Sequence, residues 1–435
     1  MRERLKTVLL TVLVAASLIQ SYLLAYNEPK FDTVIPADYV ESELEGTQTE
    51  LANLLFPKDI VLHYGNSEYT VLYPGMIFYS LIMDVVEQRT FEGLRAAGDT
   101  VDKAEWIANS TQGIEIRFAG ELSLQLLQQL MNLPGDDFSD LEPIDRIHIY
   151  TQPEREEVRV YFAGSRNGVV YEAIRADLTV KDVERFIGFG ETRVKYMSLG
   201  DGHYIPEKPL PMVEYRLDYR QFTPDQLQRS LFPDPFKTRN LTERDGSEIY
   251  TDGKRGLQLS MGQKWMRYTD PAAPAEGVLT PLDAALASVQ FVNRHGGWNG
   301  DYMLEQVSEE SAGNERQVTF QHYIGSYLGA YPIVGTTSGL PFGSIQLTLR
   351  NRTVTGYERS TVQVDNAPAQ RTSVTLPGGD ELLEIWEKYP DRQLVEQIYP
   401  AYRAILSEEE VLLTPIWALT MADGTVRALP GGGSE

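Results

Sequence analysis

The sequence predicts an α+β protein, with one N-terminal transmembrane helix followed by a multi-domain extracytoplasmic body of antiparallel sheets and helices. Three observations carry this. Residues 7–26, TVLLTVLVAASLIQSYLLAY, hold no charged side chain and, at about 1.5 Å per residue, match the roughly 30 Å hydrocarbon core of a bilayer. Beyond them, short apolar runs are separated by turn pairs such as Gly65-Asn66, Asp252-Gly253 and Asp423-Gly424, the pattern of antiparallel hairpins. Between these hairpins, Thr179 with Asp182, Thr223 with Gln226 and Thr280 with Asp283 mark helix starts, because a threonine three residues before an acidic or amide side chain satisfies free backbone donors.

Arg2, Arg4 and Lys6 precede the apolar run, opposed only by Glu3, and the next basic residue is Lys30. The positive-inside rule then puts the N-terminus in the cytoplasm and everything after Asn27 outside, as a single-pass cell-membrane protein. A cleaved signal peptide is the competing reading. Val14-Ala15-Ala16 comes too early for cleavage and Leu23-Leu24-Ala25 lacks a small first residue, so an uncleaved anchor is expected over residues 1–26. At 100° per residue, Leu13, Ala16, Ser17, Gln20, Ser21 and Leu24 share one arc of about 140°. Small and polar side chains on one face support helix contact in lipid, which makes these six a candidate partner-binding face. The alternative is that Gln20 simply reaches toward water.

With 62 acidic against 39 basic residues the net charge is −23, and the part beyond the anchor is more negative still, since three basic residues precede it. Nucleic acid and anionic surfaces repel such a body, so its natural partner is another protein. No cysteine is present, which excludes disulfides, thiolate catalysis and a lipoprotein anchor. The expected divisions beyond the anchor are an N-terminal α+β domain over 27–205, a central one over 206–274, a C-terminal one over 275–430 and a flexible tail over 431–435. A proline-rich stretch at 205–211 and DPAAP at 270–274 set the two internal boundaries.

In the first domain, the alternation predicts a hairpin of 59–63 and 69–72 and a long helix over 76–97 capped by Gly98. A helix over 102–108, a strand over 114–118 and a helix over 122–133 follow. Strands at 146–150, 158–162 and 169–174 then lead to a helix ending near 187. The central domain reads as strand 212–218, a capped helix and strands 247–250, 257–261 and 265–268. The last opens with a helix over 280–294, then strands 303–308, 316–323, 344–350 and 353–360. Helices over 380–388 and 393–398 precede a closing hairpin of 411–421 and 425–428. The Thr-Pro opening followed by antiparallel strands occurs twice, at 223 and 280, as in two related domains.

The search for chemistry returns little. His63, His148, His203, His295 and His322 stand at no metal-ligand spacing, and no nucleophile elbow, phosphate loop, dinucleotide fingerprint or calcium loop is present. No metal, cofactor or catalytic residue is predicted, and the chain reads as a non-enzyme; an Asp/Glu-pair hydrolase stays open as the alternative. Tyr323, Tyr327 and Tyr331 alternate with Gly325 and Gly329. An extended chain would put the three tyrosines on one face, either as an extracytoplasmic partner surface or as packing against a neighbouring sheet.

Several stretches resemble the YycH family: the N-terminal anchor, LFPKDIVLHYG at 55–65, SLFPDPFKTRNLTERDGSEIYTDGKRGLQLS at 230–260, VTFQHYIGSYLGAYPIVG at 318–335, GSIQLTLRNRTVTGYERS at 343–360 and LTPIW at 413–417. Members of that family are membrane-anchored accessory regulators of the WalK sensor histidine kinase, which governs cell-wall metabolism in low-GC Gram-positive bacteria. The resemblance implies a three-domain exterior, the latter two domains similar to the partner protein YycI. It also implies non-enzymatic regulation of the kinase through the transmembrane helix and extracytoplasmic docking, together with a YycI-type partner. The competing function is an anchored hydrolase or ligand-binding protein acting on cell-wall material.

Overall fold

A computed structural model describes residues 6, 14, 17, 44, 46–97, 111–135, 138, 140–152, 156–271, 279–309, 311, 314–364 and 369–433. The chain divides into two compact units, residues 1–40 and 41–435. In the first, Lys6, Val14 and Ser17 are helical and exposed. Leu13, Ala16, Gln20, Ser21 and Leu24 of the candidate partner-binding helix face lie outside the described residues, as does most of the 7–26 span and the predicted helix over 102–108. Among the described residues no helix is long and apolar enough to cross a membrane.

In the second unit the predicted first hairpin forms as β1 (Asp59–His63) and β2 (Tyr69–Leu72), with Gly65 and Asn66 in left-handed turn conformations. They join β3 (Phe91–Ala96), β4 (Gly113–Leu122), β5 (Ile144–Gln152), β6 (Glu157–Ala163), β7 (Val170–Ala176), β8 (Tyr196–Gly200) and β9 (His203–Pro206). Among the described residues this gives a nine-stranded antiparallel sheet, in the order β3-β7-β6-β5-β4-β1-β2-β8-β9. Its register pairs Ile60 with Ile116 and Ile116 with Ile147, so one face is aliphatic. Onto that face pack Tyr79, Ile82, Met83 and Val86 of α1 (Ile77–Val86), the short α2 (Leu124–Leu127), and Val183, Phe186 and Ile187 of α3 (Val180–Gly188), whose Thr179–Asp182 capping box is complete.

Fifteen further strands build a second sheet. They are β10 (Leu210–Gln221), β11 (Arg239–Thr242), β12 (Glu248–Thr251), β13 (Gly256–Ser260), β14 (Trp265–Thr269), β15 (Asp301–Val307), β16 (Glu315–Ser326) and β17 (Gly329–Thr336). The rest are β18 (Ser344–Arg350), β19 (Thr353–Ser360), β20 (Val362–Val364), β21 (Gln370–Leu376), β22 (Val395–Leu406), β23 (Glu410–Met421) and β24 (Val426–Gly433). Their order is β11-β12-β13-β14-β19-β18-β16-β17-β22-β23-β10-β20, with β15 on β16, β21 on β10 and β24 on β23. The helices are α4 (Pro224–Leu231) and α5 (Pro281–Arg294), each with its predicted threonine cap and N1 proline, and α6 (Gly379–Lys388).

Four expectations are corrected. The helix over 76–97 stops at Val86, and Phe91–Ala96 pairs with β7 instead; Gly93 sits at φ +68, outside helical geometry, and Phe91 is buried in the sheet. The helix over 122–133 shrinks to Leu124–Leu127, and the Gln128 amide donates to the Leu133 and Gly135 carbonyls, which folds the chain back. The helix over 393–398 does not form: Arg392–Leu394 make a single 3-10 turn and Val395 opens β22, which lies parallel to β17 and antiparallel to β23; a strand completes both neighbours' hydrogen bonds where a helix could not. In the predicted flexible tail, Gly431 to Gly433 continue β24, with Gly433 paired to Ile416, while Ser434 and Glu435 lie outside the described residues.

Candidate functional site: a cleft between the two sheets

The sheets are held together at several points. Thr47 and Trp298 exchange backbone hydrogen bonds at 2.9 Å, and the Ala330 amide donates to the Pro74 carbonyl at 2.5 Å. Gly120 of β4 rests on β15 so closely that a Cβ there would stand 2.5 Å from the Glu305 carbonyl oxygen. Between these points lies a cleft of about 1640 Å³.

One wall grows from the strand pattern of β1, β4 and β5. Opposite the aliphatic face, the same register aligns Asp59 with Arg117, Arg117 with Arg146, and Glu115 with His148. Alternation of this kind normally marks a solvent face, yet Asp59, His63, Glu115 and His148 are buried, with Tyr204 of β9 lying against His63. Burial makes pairing obligatory. Arg117 Nε donates to Asp59 Oδ1 at 2.5 Å, Nη2 to Oδ2 at 2.8 Å, and Nη1 to the Gly202 carbonyl at 2.7 Å. Glu115 faces His63 Nε2 at 3.3 Å, Arg146 Nη1 at 3.5 Å and the Tyr204 hydroxyl at 3.4 Å. Burial opposes ionisation of Glu115, but the His63 hydrogen bond, the neighbouring His148 and the Arg146 and Arg117 guanidinium groups outweigh it and hold the carboxyl well below its ordinary range.

Lys58, next to Asp59, lines the cleft. Its backbone amide donates to the Arg117 carbonyl at 2.8 Å, and its Nζ donates to Gln397 Oε1 of β22 at 2.6 Å. Gln397 Nε2 in turn donates to the Ala119 carbonyl of β4 at 3.3 Å. Burial and the nearby Arg117 charge push the Lys58 ammonium down to about 8.

Glu305 stands on the opposite wall. It is the extra residue of a β-bulge, because Leu304 pairs with Phe320 while Gln306 pairs with Thr319. A bulge re-aims the side chain it carries, and here Glu305 lines the cleft with Tyr323 of β16 and Tyr399 of β22. Burial raises its carboxyl to about 7. The Tyr323 phenol is pushed well above its usual range by burial and then by the Glu305 charge. On β4, Glu121 also lines the cleft, with a buried Oε1 that has no hydrogen-bond partner among the described residues.

The lining carries ten carboxyl side chains and four basic ones, Lys58, Arg146, Arg166 and Arg316. Each cation is engaged: Lys58 by Gln397, Arg146 by Asp145 and Glu115, Arg166 by Glu396, and Arg316 by the Leu279 and Ser308 carbonyls. Among the described residues none pairs with Glu305.

The tyrosines anticipated from sequence are divided by the fold. Residues 323–331 form a hairpin rather than one extended strand, with Tyr323 opposite Pro332 and Tyr331 opposite Ile324, so those two rings leave on opposite faces. Both are buried and both contribute to the cleft lining, whereas Tyr327 at the turn is 81 % exposed and stands apart from it. Lys58, Glu121, Glu305 and Tyr399 were not anticipated. The only sequence signal for any of them is the charged pair Lys58-Asp59 set in an apolar strand.

Comparison with known proteins extends over nearly the whole chain. A family model described as the YycH protein, C-terminal domain, matches residues 201–429, and one for the YycH protein, N-terminal domain, matches residues 3–186. A Bacillus subtilis (strain 168) protein named two-component system WalR/WalK regulatory protein YycH is 21 % identical over 442 residues, covering 96 % of this chain and 94 % of its own. The crystal structure of YycH from Bacillus subtilis shares the fold, with a TM-score of 0.68 at 17 % identity over 89 % of this chain and 98 % of that one. A crystal structure of an uncharacterized protein from Eubacterium rectale ATCC 33656 gives a TM-score of 0.32 at 10 % identity, over 52 % of this chain and 83 % of that one, too low for argument.

Proposed function

We propose a function from one premise: the chain belongs to the YycH family. It is a non-enzymatic regulator of a two-component system, anchored in the cell membrane by residues 7–26 with its body outside. It acts on a WalK-type sensor histidine kinase, through the helix face of Leu13, Ala16, Ser17, Gln20, Ser21 and Leu24 and through docking of its exterior with a YycI-type partner. The observation that supports this reading is the relation, along nearly its full length, to a protein named as a WalR/WalK regulatory protein.

The test is membrane co-purification of the full chain beside a version whose residues 1–26 are exchanged for an unrelated single-pass anchor. Loss of the kinase with retention of the YycI-type partner is the expected result. Equal capture of both would move the interaction outside the membrane, and capture of neither by the native chain would overturn the proposal. Charge substitution at Ser17 or Gln20 is expected to abolish regulation while insertion stays normal.

A second reading, an anchored ligand-binding protein or hydrolase acting on cell-wall material, is favoured by one observation, the cleft. Turnover of wall fragments by the purified protein would select its enzymatic form.

A further inference from the structure

The cleft holds two carboxylates that the fold leaves incompletely compensated. Glu121 has a buried Oε1 with no donor, although the Arg166 backbone amide and guanidinium act on its carboxyl group, and half-buried Glu305 has no cation facing it among the described residues. A buried polar atom without a partner costs about 1–3 kcal/mol, and more when charged. The four basic side chains of the lining are already engaged within the protein; Arg166 acts on Glu121 in part, and none acts on Glu305.

Three features narrow the occupant. First, the charge excess of the lining calls for a cation. Second, among the described residues no three acidic or histidine side chains come together as a metal site would need, so the cation is organic. Third, Glu305 is not among the charges acting on Glu121, nor Glu121 among those acting on Glu305, so the two are separate points along the cleft. One small ion cannot serve both. At about 1640 Å³ the cleft also exceeds the roughly 300–1000 Å³ of ordinary small-molecule pockets. The Tyr323 and Tyr399 rings beside Glu305 add faces on which an alkylammonium or guanidinium group can rest.

We propose that this cleft is a docking groove for an extended, lysine- or arginine-bearing segment of a partner protein, with Glu121 and Glu305 each receiving one basic side chain. Binding of such a segment does not rest on the kinase reading above. It assigns a task to Glu305's bulge: without the extra residue, the side chains beyond it would turn to the other face of β15.

The experiment uses the full-length protein in non-ionic detergent and an end-capped, fluorescein-labelled decapeptide of alternating lysine and serine, read by anisotropy. Expected are saturable binding, at least tenfold weaker binding in each of Glu305→Gln and Glu121→Gln, and less than a twofold change in Glu409→Gln, whose exposed carboxyl lies outside the cleft. A norleucine-for-lysine peptide should bind at least tenfold more weakly, and a glutamate-for-lysine peptide not at all.

Binding should also weaken between pH 8 and pH 6, as Glu305 takes up a proton near 7. The titratable groups facing it from β16 and β22, the Tyr323 and Tyr399 phenols, stay neutral there because burial raises both. Glu121 on neighbouring β4 is also raised by burial and is assigned by its own glutamine variant, and Lys58 of the same lining, pushed down to about 8, gains charge over the same interval and is assigned by Lys58→Met. Glu305→Gln should remove the part of the pH dependence centred near 7. Absence of binding at millimolar peptide, glutamine variants within twofold of the parent, or tighter binding of spermine than of the peptide would each overturn the proposal.

Discussion

Acidification from pH 7 to pH 5 should destabilise the body of residues 41–435 by about 3 kcal/mol, and three buried histidines set the sign. His148 lies opposite Glu115 in the register, His295 Nδ1 sits 2.6 Å from the Ser230 carbonyl oxygen, and His322 stacks on Tyr302 at 4.7 Å between centroids. Burial pushes each of them down to about 4. An unfolded histidine titrates near 6.5, so between those values the unfolded chain takes protons that the folded protein refuses. Their contribution is therefore present above about 6.5 and lost as pH falls toward 4.

Proton linkage gives a loss of about 0.2 kcal/mol at pH 7 and about 2 kcal/mol at pH 5 for each histidine, hence about 5 kcal/mol across the interval for three. Glu305 acts in the opposite sense: its raised carboxyl holds a proton that an unfolded glutamate has released, returning about 2 kcal/mol as pH falls to 5. Glu115 does not contribute over this range, because a depressed carboxylate loses its stabilisation only below about 4.5. His203, also lowered by burial, adds to the loss. Urea unfolding of the full chain, followed by fluorescence of the fully buried Trp298 and Trp417, measures the shift at pH 5, 6 and 7. His322→Asn should remove about a third of the histidine-driven decline. An unchanged midpoint between pH 7 and pH 5, or a decline confined to below pH 4.5, would refute the reasoning.

Two further outcomes follow from the packing. Arg117→Met leaves Asp59 as a buried, unpaired charge and should cost about 3–5 kcal/mol, whereas adding Asp59→Asn should recover much of that; equal stability of the single and double variants would remove the ion pair from the account. Gly120→Val places side-chain atoms against the Glu305 carbonyl and should cost about 1–3 kcal/mol by forcing β4 from β15; a neutral result in the same unfolding assay would mean that the sheets approach less closely.

Local signals proved legible because they are settled by neighbours in sequence. The Gly65-Asn66 hairpin and the caps at Thr179, Thr223 and Thr280 involve residues a few positions apart, and each forms as its chemistry dictates. What sequence misread depends on distant partners. Phe91–Ala96 and 395–398 carry helix-compatible residues, but each completes a sheet whose other strands come from elsewhere in the chain. The runs IEIRF at 114–118 and RIHIY at 146–150 look like strands with one wet face, and nothing local says that the polar face is covered as well. The cleft was the least legible feature. Glu305 is one of 62 acidic residues, and only the bulge and the approach of Gly120 distinguish it.

The energetics of regulation connect the cleft to the proposed function. Moving a two-state kinase from 1:99 to 99:1 takes about 5.5 kcal/mol of differential binding. A polar contact between helices in lipid is worth about 0.6–2 kcal/mol, so the proposed face around Gln20 would tune such an equilibrium but not throw it alone. The remainder must come from contacts outside the membrane that differ between two states, since a ligand with equal affinity for both shifts nothing. The basic segment proposed for the cleft would meet that requirement, because Glu121 and Glu305 stand on different sheets. The Lys58–Gln397–Ala119 chain of hydrogen bonds spans the same gap, so an incoming cation that displaces Lys58's charge or widens the gap has a defined structural readout.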